Sequence, residues 1–293
     1  MPEVLHRPTP PRWPWPPVIA ASAGLHALAL AAALLDPAHA VAALGAVALD
    51  HAVLTGAGLW PRSTLLGPNI TRLPPASAAR GEIAITLDDG PDPEVTPAVL
   101  DQLDAAGARA SFFCIAARAA AQPALTREIV RRGHAVQNHS FAHRHHFALL
   151  GPRGFAAEIG RAQAVLADLT GRAPHGFRAP AGLRNPLLDP VLHRLNLQLV
   201  SWTRRGFDTR DPDPARVLQR LTTKLAAGDI LLLHDGNARR SASGRPVVLD
   251  VLPRLLQHCR DAGLRTATLD DALPPRRELL LLSPSPTGGR GRG

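Results

Sequence analysis

The sequence predicts an α/β fold with a parallel sheet covered by helices and an N-terminal helical hairpin. Three observations lead to this expectation: two long apolar runs near the N-terminus, seven short apolar segments after Gly81, and amphipathic helical patterns between those segments. Strands covered on both faces are nearly continuous apolar runs. At this level, a closed barrel and an open, doubly wound sheet fit the pattern equally well.

The two apolar runs predict a transmembrane hairpin. They extend from Val18 to Leu35 and from Val41 to Trp60, and each would form a helix about 27–30 Å long, close to the hydrocarbon thickness of a bilayer. Asp36-Pro37 would end the first helix. One alternative is a cleaved signal peptide or a single membrane anchor. Another is a soluble Ala-rich hairpin, because Asp50 and His51 interrupt the second apolar run.

Basic residues flank the predicted hairpin but are absent from its connecting loop. Two arginines precede the first run and three follow the second: Arg7, Arg12, Arg62, Arg72 and Arg80. The positive-inside rule then places both flanks on the cytoplasmic side of a bacterial-type inner membrane. We therefore expect a cytoplasmic catalytic domain, with the external side as the alternative.

From Gly81 onward, apolar segments alternate with helical patterns. Predicted strands cover residues 83–87, 108–113, 134–139, 175–179, 197–203, 229–235 and 264–269. Between them, predicted helices cover residues 96–107, 123–133, 155–171, 185–196, 213–228 and 247–263. Each strand is followed by a helix until the last, which is typical of a parallel sheet.

These patterns divide the chain into five segments. They are a Pro-rich segment (1–17), the hairpin (18–60), a linker (61–80), the α/β domain (81–273) and a low-complexity tail (274–293), which we expect to be disordered.

Composition excludes several classes of protein. The net charge is +9, but residues 81–273 contain 24 basic and 20 acidic residues, without a basic stripe that has interleaved aromatics. We therefore expect no nucleic-acid partner. The two cysteines, Cys114 and Cys259, exclude a disulfide scaffold, and we expect both in the core. The sequence has neither of the common glycine-rich phosphate-binding motifs.

Polar side chains follow five of the seven predicted strands. The carboxyl ends of parallel strands meet at one edge of the sheet, so these residues should lie close together. In chain order they are Asp88 and Asp89, His139 and His143, Arg178, Trp202 with Asp208, and His234.

These residue types predict metal-assisted hydrolysis of an amide or ester. One carboxylate and two imidazoles at HxxxH spacing can bind a divalent ion with open positions. A second carboxylate can accept the proton of water, and a histidine across the site can protonate the leaving amine. Taken singly, the acidic pair could form a turn, HxxxH a polar loop, Arg178 a structural ion pair, and His234 a capped core histidine.

Four motifs together resemble the signature of a known family. TLDDGP (86–91), HSFAH (139–143), RAPAG (178–182) and LLH (232–234) are similar to the motifs of the polysaccharide deacetylases, the chitin-deacetylase-like carbohydrate esterases of family 4. The resemblance covers residues 81–273. It implies a distorted (β/α)7 barrel and one divalent metal ion, zinc first and cobalt or another ion as alternatives.

The resemblance also implies a role for each matching residue. Asp88 would be the catalytic base, and Asp89, His139 and His143 the metal ligands. Arg178 would hold the base, and His234 would be the general acid. The backbone N–H of Ala181 would stabilise the oxyanion, and Leu232 would contact the acyl methyl group.

The sequence departs from the family pattern at three places. Leu87 replaces a phenylalanine in the first motif, and Ala181 replaces an aromatic residue in the third, which removes one wall of the sugar groove. In the less regular fourth motif, Trp202 fits the aromatic wall, and Asp208 is the candidate for orienting His234. These changes concern the binding of long glycans more than hydrolysis.

We therefore expect a membrane-tethered hydrolase that removes an N-acyl group, first of all N-acetyl, from an amino sugar of a glycan, oligosaccharide or lipid-linked sugar. The alternatives are a deformylase of a lipid-linked amino sugar and a non-catalytic glycan-binding module at the membrane. A phosphoaspartate protein would leave HxxxH and His234 without a role.

Overall fold

A computed structural model describes residues 13–273 of the chain. Of the expected Pro-rich segment, residues 1–12 lie outside the described residues, and with them Arg7 and Arg12. The expected tail, residues 274–293, lies outside them entirely.

The N-terminal hairpin consists of α1 (Pro17–Leu35) and α2 (Ala40–Leu59). Between them, Pro37–His39 forms a single 3₁₀ turn, and the side chain of Asp36 accepts a hydrogen bond from the N–H of Ala38. Proline has no N–H and cannot continue α1, so the chain turns at this point. By length and composition, both arms are long and apolar enough to cross a membrane, with mean hydropathies of 2.1 and 1.6.

The body of the molecule is a parallel sheet that curves into a half-barrel. Its strands are β1 (Glu82–Asp88), β2 (Ser111–Cys114), β3 (Ala135–Asn138), β4 (Gly176–Phe177), β5 (Gln198–Leu199), β6 (Arg204–Arg205), β7 (Ile230–His234) and β8 (Arg265–Thr266). The strand order is β5-β4-β3-β2-β1-β7-β6, with β8 beside the start of β1. All pairs are parallel, which confirms the barrel-type α/β fold expected from the sequence.

Helices pack around this sheet, most of them against its outer face. They are α3 (Pro75–Ala79), α4 (Thr96–Ala105), α5 (Ala116–Ala121), α6 (Pro123–Arg131), α7 (Pro152–Thr170), α8 (Leu188–Arg194), α9 (Pro214–Thr222), α10 (Val247–Asp261) and α11 (Leu269–Ala272). The short elements α3, α5, α11 and β6 were not expected. They have too few residues to show a hydrophobic period, and β6 consists of two arginines that pair with β7.

Side-chain alternation along β1 decides which residues reach the site. Ile83, Ile85 and Leu87 face the helices and belong to the main core, which also holds Cys114 and Cys259. Ala84 faces the inside of the half-barrel, so Thr86 and Asp88 lie on that same inner face. The strand therefore presents Asp88 to the interior at its carboxyl end.

The foot of the hairpin contacts the loop that follows β4. The backbone N–H of Arg184 donates to the carbonyl of Gly58 at 3.1 Å, and a Cβ at Gly58 would lie 2.1 Å from the Arg184 carbonyl oxygen. Two residues earlier in that loop, a Cβ at Gly182 would lie 2.8 Å from Pro61. Gly58 is needed because the two backbones approach too closely there for a side chain, and at Gly182 a side chain would collide with Pro61 and the ring of Trp202.

Candidate functional site

The carboxyl ends of β1 and β7 bring a carboxylate and an imidazole together. Asp88 ends β1 and is paired in register with His234, which ends β7. The next residue, Asp89, has a φ of 73°, a left-handed conformation that turns the chain back over the sheet edge. All three side chains are buried.

Asp89, His139 and His143 form a cluster whose ligand atoms all lie within 4.8 Å of one another. Oδ1 of Asp89 lies 3.4 Å from Nε2 of His139 and 3.3 Å from Nε2 of His143. That oxygen is buried and accepts no hydrogen bond among the described residues. Two ligands of a tetrahedral zinc ion stand about 3.4 Å apart. The three residues therefore fit a divalent metal ion.

The surroundings of His139 leave Nε2 free to act as a ligand. Its Nδ1 donates to the carbonyl oxygen of Arg178 at 2.8 Å, which puts the lone pair on Nε2. Burial opposes the charged imidazole, but Asp88 and Asp89 outweigh burial and raise the pKa of His139. Burial would likewise raise the pKa of Asp89, but the nearby histidines, His139 above all, hold it well below its usual range.

HxxxH does not lie on a helical turn here. His139 directly follows β3, and His143 lies in the subsequent loop with a φ of 48°. The side chain of Ser140 accepts a hydrogen bond from the His143 N–H at 3.0 Å and fixes this turn. Burial, followed by the charge of His139, lowers the pKa of His143.

Arg178 holds one oxygen of Asp88 from behind the site. Its Nη1 donates to Oδ1 of Asp88 at 2.6 Å and to the hydroxyl of Thr86 at 2.8 Å, and Nη2 donates to the carbonyl oxygen of Ser201 at 2.9 Å. The guanidinium is fully buried and lies 3.9 Å from the centre of the Phe113 ring. Burial lowers the pKa of Arg178, against the opposing effect of Asp88.

The other oxygen of Asp88 faces the cluster formed by Asp89, His139 and His143. Oδ2 of Asp88 lies 3.8 Å from Nε2 of His139, farther than the Asp89 oxygen. The two neighbouring carboxylates thus differ: one is held by a guanidinium, and the other lies between two imidazoles.

Asp208 orients His234. The carboxylate accepts from the backbone N–H of His234 at 2.8 Å and from its Nδ1 at 2.9 Å, and it is completely buried. This geometry places Nε2 of His234 toward the cavity. Burial opposes the imidazolium, but the charge and hydrogen bond of Asp208 outweigh burial and raise the pKa of His234.

A cavity of about 360 Å³ connects these groups. Of the ten site residues expected from the sequence, eight line it: Asp88, Asp89, His139, His143, Ala181, Trp202, Leu232 and His234. The remaining two, Arg178 and Asp208, lie behind the cavity, in contact with Asp88 and His234. The side chains expected to form one site are therefore brought together.

Backbone strain is concentrated around this cavity. Four residues other than glycine that line it have positive φ: Asp89 (73°), His143 (48°), Ala181 (55°) and Asn237 (60°). Such conformations cost of order 1 kcal/mol or more each and persist where the surrounding structure enforces them. Here that structure positions two candidate metal ligands, Asp89 and His143, and the backbone of Ala181.

Sequence reasoning missed a pair of residues that orient Asp89. Nδ2 of Asn237 donates to Oδ2 of Asp89 at 3.0 Å, and Arg118 donates to the carbonyl oxygen of Asp89 at 2.8 Å. Arg118 also donates to the side chain of Asn237 at 3.0 Å. The sequence could have indicated Asn237, because it lies three residues after His234. It contains no comparable indication for Arg118.

Asp235 is a further buried acid that sequence reasoning left unassigned. Burial and the charges of Asp89 and Asp88 raise its pKa to about 7, although a hydrogen bond from Thr96 at 2.6 Å opposes this shift. A Cβ at Gly90 would lie 2.0 Å from this carboxylate, so Asp235 packs directly beneath the turn that presents Asp89.

A second group of possible ligands, His26, Asp50 and His51, joins the two hairpin helices. Nε2 of His26 lies 3.1 Å from Nε2 of His51, and the Ser22 hydroxyl donates to Asp50 at 2.7 Å. Each of these polar groups has a partner across the hairpin. The group fits an interhelical hydrogen-bond clamp, which explains how Asp50 and His51 are accommodated in an apolar helix.

Comparison with known proteins gives one consistent result. The sequence pattern of the family described as polysaccharide deacetylase matches residues 76–200. A chitooligosaccharide deacetylase of Azorhizobium caulinodans is 35% identical over 158 residues, covering 54% of this chain and 75% of that protein. A peptidoglycan-N-acetylglucosamine deacetylase of Bacillus cereus is 30% identical over 203 residues, covering 65% and 87%.

A solved structure extends the likeness to the fold. A family 4 acetyl xylan esterase from Clostridium thermocellum, in complex with a cobalt ion, is 26% identical with a TM-score of 0.58, covering 65% of this chain and 89% of that one. The motifs, the half-barrel, and the identity to relatives along most of their length agree. On this evidence, the chain belongs to the polysaccharide deacetylase family.

Proposed function

We propose that the protein is a metal-dependent hydrolase that removes an N-acyl group, in the first place N-acetyl, from an amino sugar. One observation supports this above all: a buried Asp-His-His cluster with an unpartnered carboxylate oxygen lies beside a second carboxylate, Asp88, and across from His234. A binding module without catalysis would not need an acid, a base and three possible ligands around one cavity.

Asp89, His139 and His143 would hold the metal ion, and Asn237 and Arg118 would keep Asp89 in position. A bound divalent ion would polarise the acyl carbonyl and lower the pKa of a water molecule at the site. The donor set of two imidazoles and one carboxylate suits zinc and also cobalt. We propose zinc as the resident ion.

Asp88 is the proposed general base, because Arg178 holds one of its oxygens and leaves the other toward the cavity. It accepts a proton from the attacking water. His234 is the proposed general acid, because Asp208 keeps its imidazole protonated and oriented. It donates a proton to the amine as the C–N bond breaks.

Ala181, Trp202 and Leu232 would hold the substrate. All three line the cavity, and the strained backbone of Ala181 supports its N–H as a donor to the developing oxyanion. Leu232 would contact the acyl methyl group and Trp202 one face of the sugar. The same chemistry would release a formyl group, which is the second candidate activity.

We propose that α1 and α2 anchor the enzyme in a membrane with the catalytic domain on the cytoplasmic side. The anchoring proposal is supported by the length and apolar composition of both helices. The orientation proposal rests on the arginines on both flanks and their absence from the turn.

The test combines hydrolysis with metal analysis on the purified full chain. Asp88→Asn should abolish release of acetate, by roughly 10²-fold or more, with the metal still bound. His139→Ala or His143→Ala should remove the metal as well, whereas His258→Ala, on an exposed face of α10, should change neither. Stoichiometric metal in both ligand variants, or no hydrolysis by the metal-loaded wild type with any N-acylated amino sugar, would refute the proposal.

A further inference from the structure

Two arginines in the catalytic cavity have no role in the hydrolysis described above. Arg205 and Arg210 both line the cavity that contains Asp88, Asp89 and His234. Among the described residues, neither guanidinium forms an ion pair with a carboxylate, and Nε of Arg205 is buried without any hydrogen-bond partner. An unpartnered buried donor is costly, so its retention needs an explanation.

The acids that could neutralise these arginines are already engaged. Asp208 uses both carboxylate oxygens on His234, and Asp88 gives Oδ1 to Arg178. Asp211, next to Arg210 in sequence, pairs with Arg216 and Arg220 at 2.8 Å each. The contrast with Arg204, whose guanidinium pairs with Asp229 at 2.6 Å, shows that unpaired arginine is not general in this segment.

The rings around Arg205 hold it next to the sugar-binding wall. Its guanidinium lies 5.3 Å from the centre of the Trp202 ring and 5.0 Å from that of Phe207. Stacking on aromatic faces leaves the N–H edges of a guanidinium available to an acceptor. Burial lowers the pKa of Arg205, against the opposing charges of Asp88 and Asp208, and the charge of Arg210 lowers it further.

We propose that Arg205 and Arg210 form a subsite for a phosphate group attached to the N-acylated amino sugar. This inference rests on the proposed function and specifies its substrate class. A single guanidinium fork already satisfies the two oxygens of a carboxylate, whereas a phosphate or diphosphate offers enough oxygens for both arginines. Binding an anion would also give the buried Nε of Arg205 an acceptor.

The phosphate could belong to a lipid-linked or to a soluble sugar. The cavity adjoins the hairpin foot, because Gly182 lines it and also contacts Pro61, which follows α2. A sugar held by a phosphate at a lipid headgroup would therefore reach the cavity from the membrane side. The chemistry recognised by the arginines is the same for both sources.

The experiment compares four substrates on the detergent-purified, zinc-loaded full chain. They are a neutral N-acetylglucosamine disaccharide, N-acetylglucosamine 1-phosphate, a uridine diphosphate sugar, and N-acetylglucosamine linked to a polyprenyl phosphate. We expect kcat/KM for the phosphorylated substrates to exceed that for the neutral one by roughly 10- to 100-fold, the effect of charged hydrogen bonds. Preference for the polyprenyl substrate over both soluble phosphates would identify the lipid source, and the reverse the soluble one.

Variants separate recognition from folding. Arg205→Gln and Arg210→Gln should each raise KM for the phosphorylated substrates far more than for the neutral disaccharide, and so remove most of this preference. Arg205→Lys should retain part of it, and Arg127→Gln, which removes an exposed arginine on α6, should retain all of it. Arg210 is itself exposed, so its variant should fold.

Equal loss on neutral and phosphorylated substrates, or an equal preference for a carboxylated sugar, would overturn the inference. Calorimetric binding of N-acetylglucosamine 1-phosphate supplies a readout without hydrolysis. If no substrate releases acetate but this binding occurs and is weakened in Arg205→Gln, the proposed function fails and the phosphate subsite stands. If binding is absent or unaffected by either arginine, the subsite fails.

Discussion

Asp208→Asn tests most directly how the proposed general acid is held. The buried carboxylate accepts from the backbone N–H of His234 at 2.8 Å and from its Nδ1 at 2.9 Å, one hydrogen bond to each oxygen. Asparagine has nearly the same shape, but it is uncharged and one of its two polar ends is a donor. The variant can therefore satisfy only one of these two bonds and loses the charge opposite the imidazolium.

The size of the effect on protonated His234 follows from the charged hydrogen bond that Asp208→Asn removes. Such a bond contributes about 1.5–3 kcal/mol, and one pKa unit corresponds to about 1.4 kcal/mol. Burial lowers the pKa of His234 and Asp208 raises it, with Asp208 the stronger effect, so this pKa should fall in the variant. Activity that needs the protonated imidazole is lost as pH rises through this pKa, so the variant should lose it at lower pH.

The assay is the pH profile of kcat/KM with metal content measured in parallel. We expect the alkaline limb to move to lower pH with the metal retained. Asp213→Asn is a matched control, because Asp213 caps α9 with its side chain and lies outside the cavity, and asparagine also caps helices. A fall in activity that is equal at every pH, with the alkaline limb unmoved, would show that Asp208 supports structure only.

Three further predictions concern the surroundings of Asp89 and the topology. Gly90→Ala should lower the free energy of unfolding by about 1–3 kcal/mol, because the new Cβ would lie 2.0 Å from Asp235. Denaturant titrations measure this change. The control is Gly160→Ala, which has open space around it and should not destabilise the protein. Asn237→Ala should weaken metal affinity roughly 10- to 100-fold in competition with a chelator, since it frees one oxygen of Asp89; unchanged affinity would contradict its orienting role. A reporter fused after Arg80 should be active in the cytoplasm, and periplasmic activity would reverse the proposed orientation.

The residues on strand ends were predictable because the pattern of the strands is local. Ile83 to Leu87 and Ile230 to Leu233 are apolar runs directly followed by Asp88 and His234, and parallel pairing places their carboxyl ends at one edge. Seven apolar segments with intervening helical patterns were sufficient to predict a parallel sheet. The choice of a barrel over an open sheet needed the family motifs, because strand curvature has no short-range sequence signal.

The residues behind the site were harder to predict because their roles depend on tertiary contacts. Asp208 was proposed for His234 from its motif, although 26 residues separate the two. Arg118 lies in a short Ala-rich helix that has no amphipathic period, so nothing in the sequence indicated its contact with Asp89. Arg205 is one of two adjacent arginines, and only the structure shows that, within residues 13–273, Arg204 pairs with a carboxylate and Arg205 does not.

One loop, residues 180–186, connects the foot of the N-terminal hairpin with the cavity. Residues 180–186 supply Ala181 to the cavity and, three residues later, Arg184 to the foot of α2, where its N–H donates to the Gly58 carbonyl. Ala181 is in the left-handed region, so the position of its N–H depends on both ends of this loop being fixed. The hairpin fixes one end and β4 the other. If the hairpin anchors the protein as proposed, a substrate that passes its foot would meet the proposed oxyanion donor and the proposed phosphate subsite together. The two proposals then jointly predict a preference for a phosphorylated substrate at the membrane surface over a long neutral glycan.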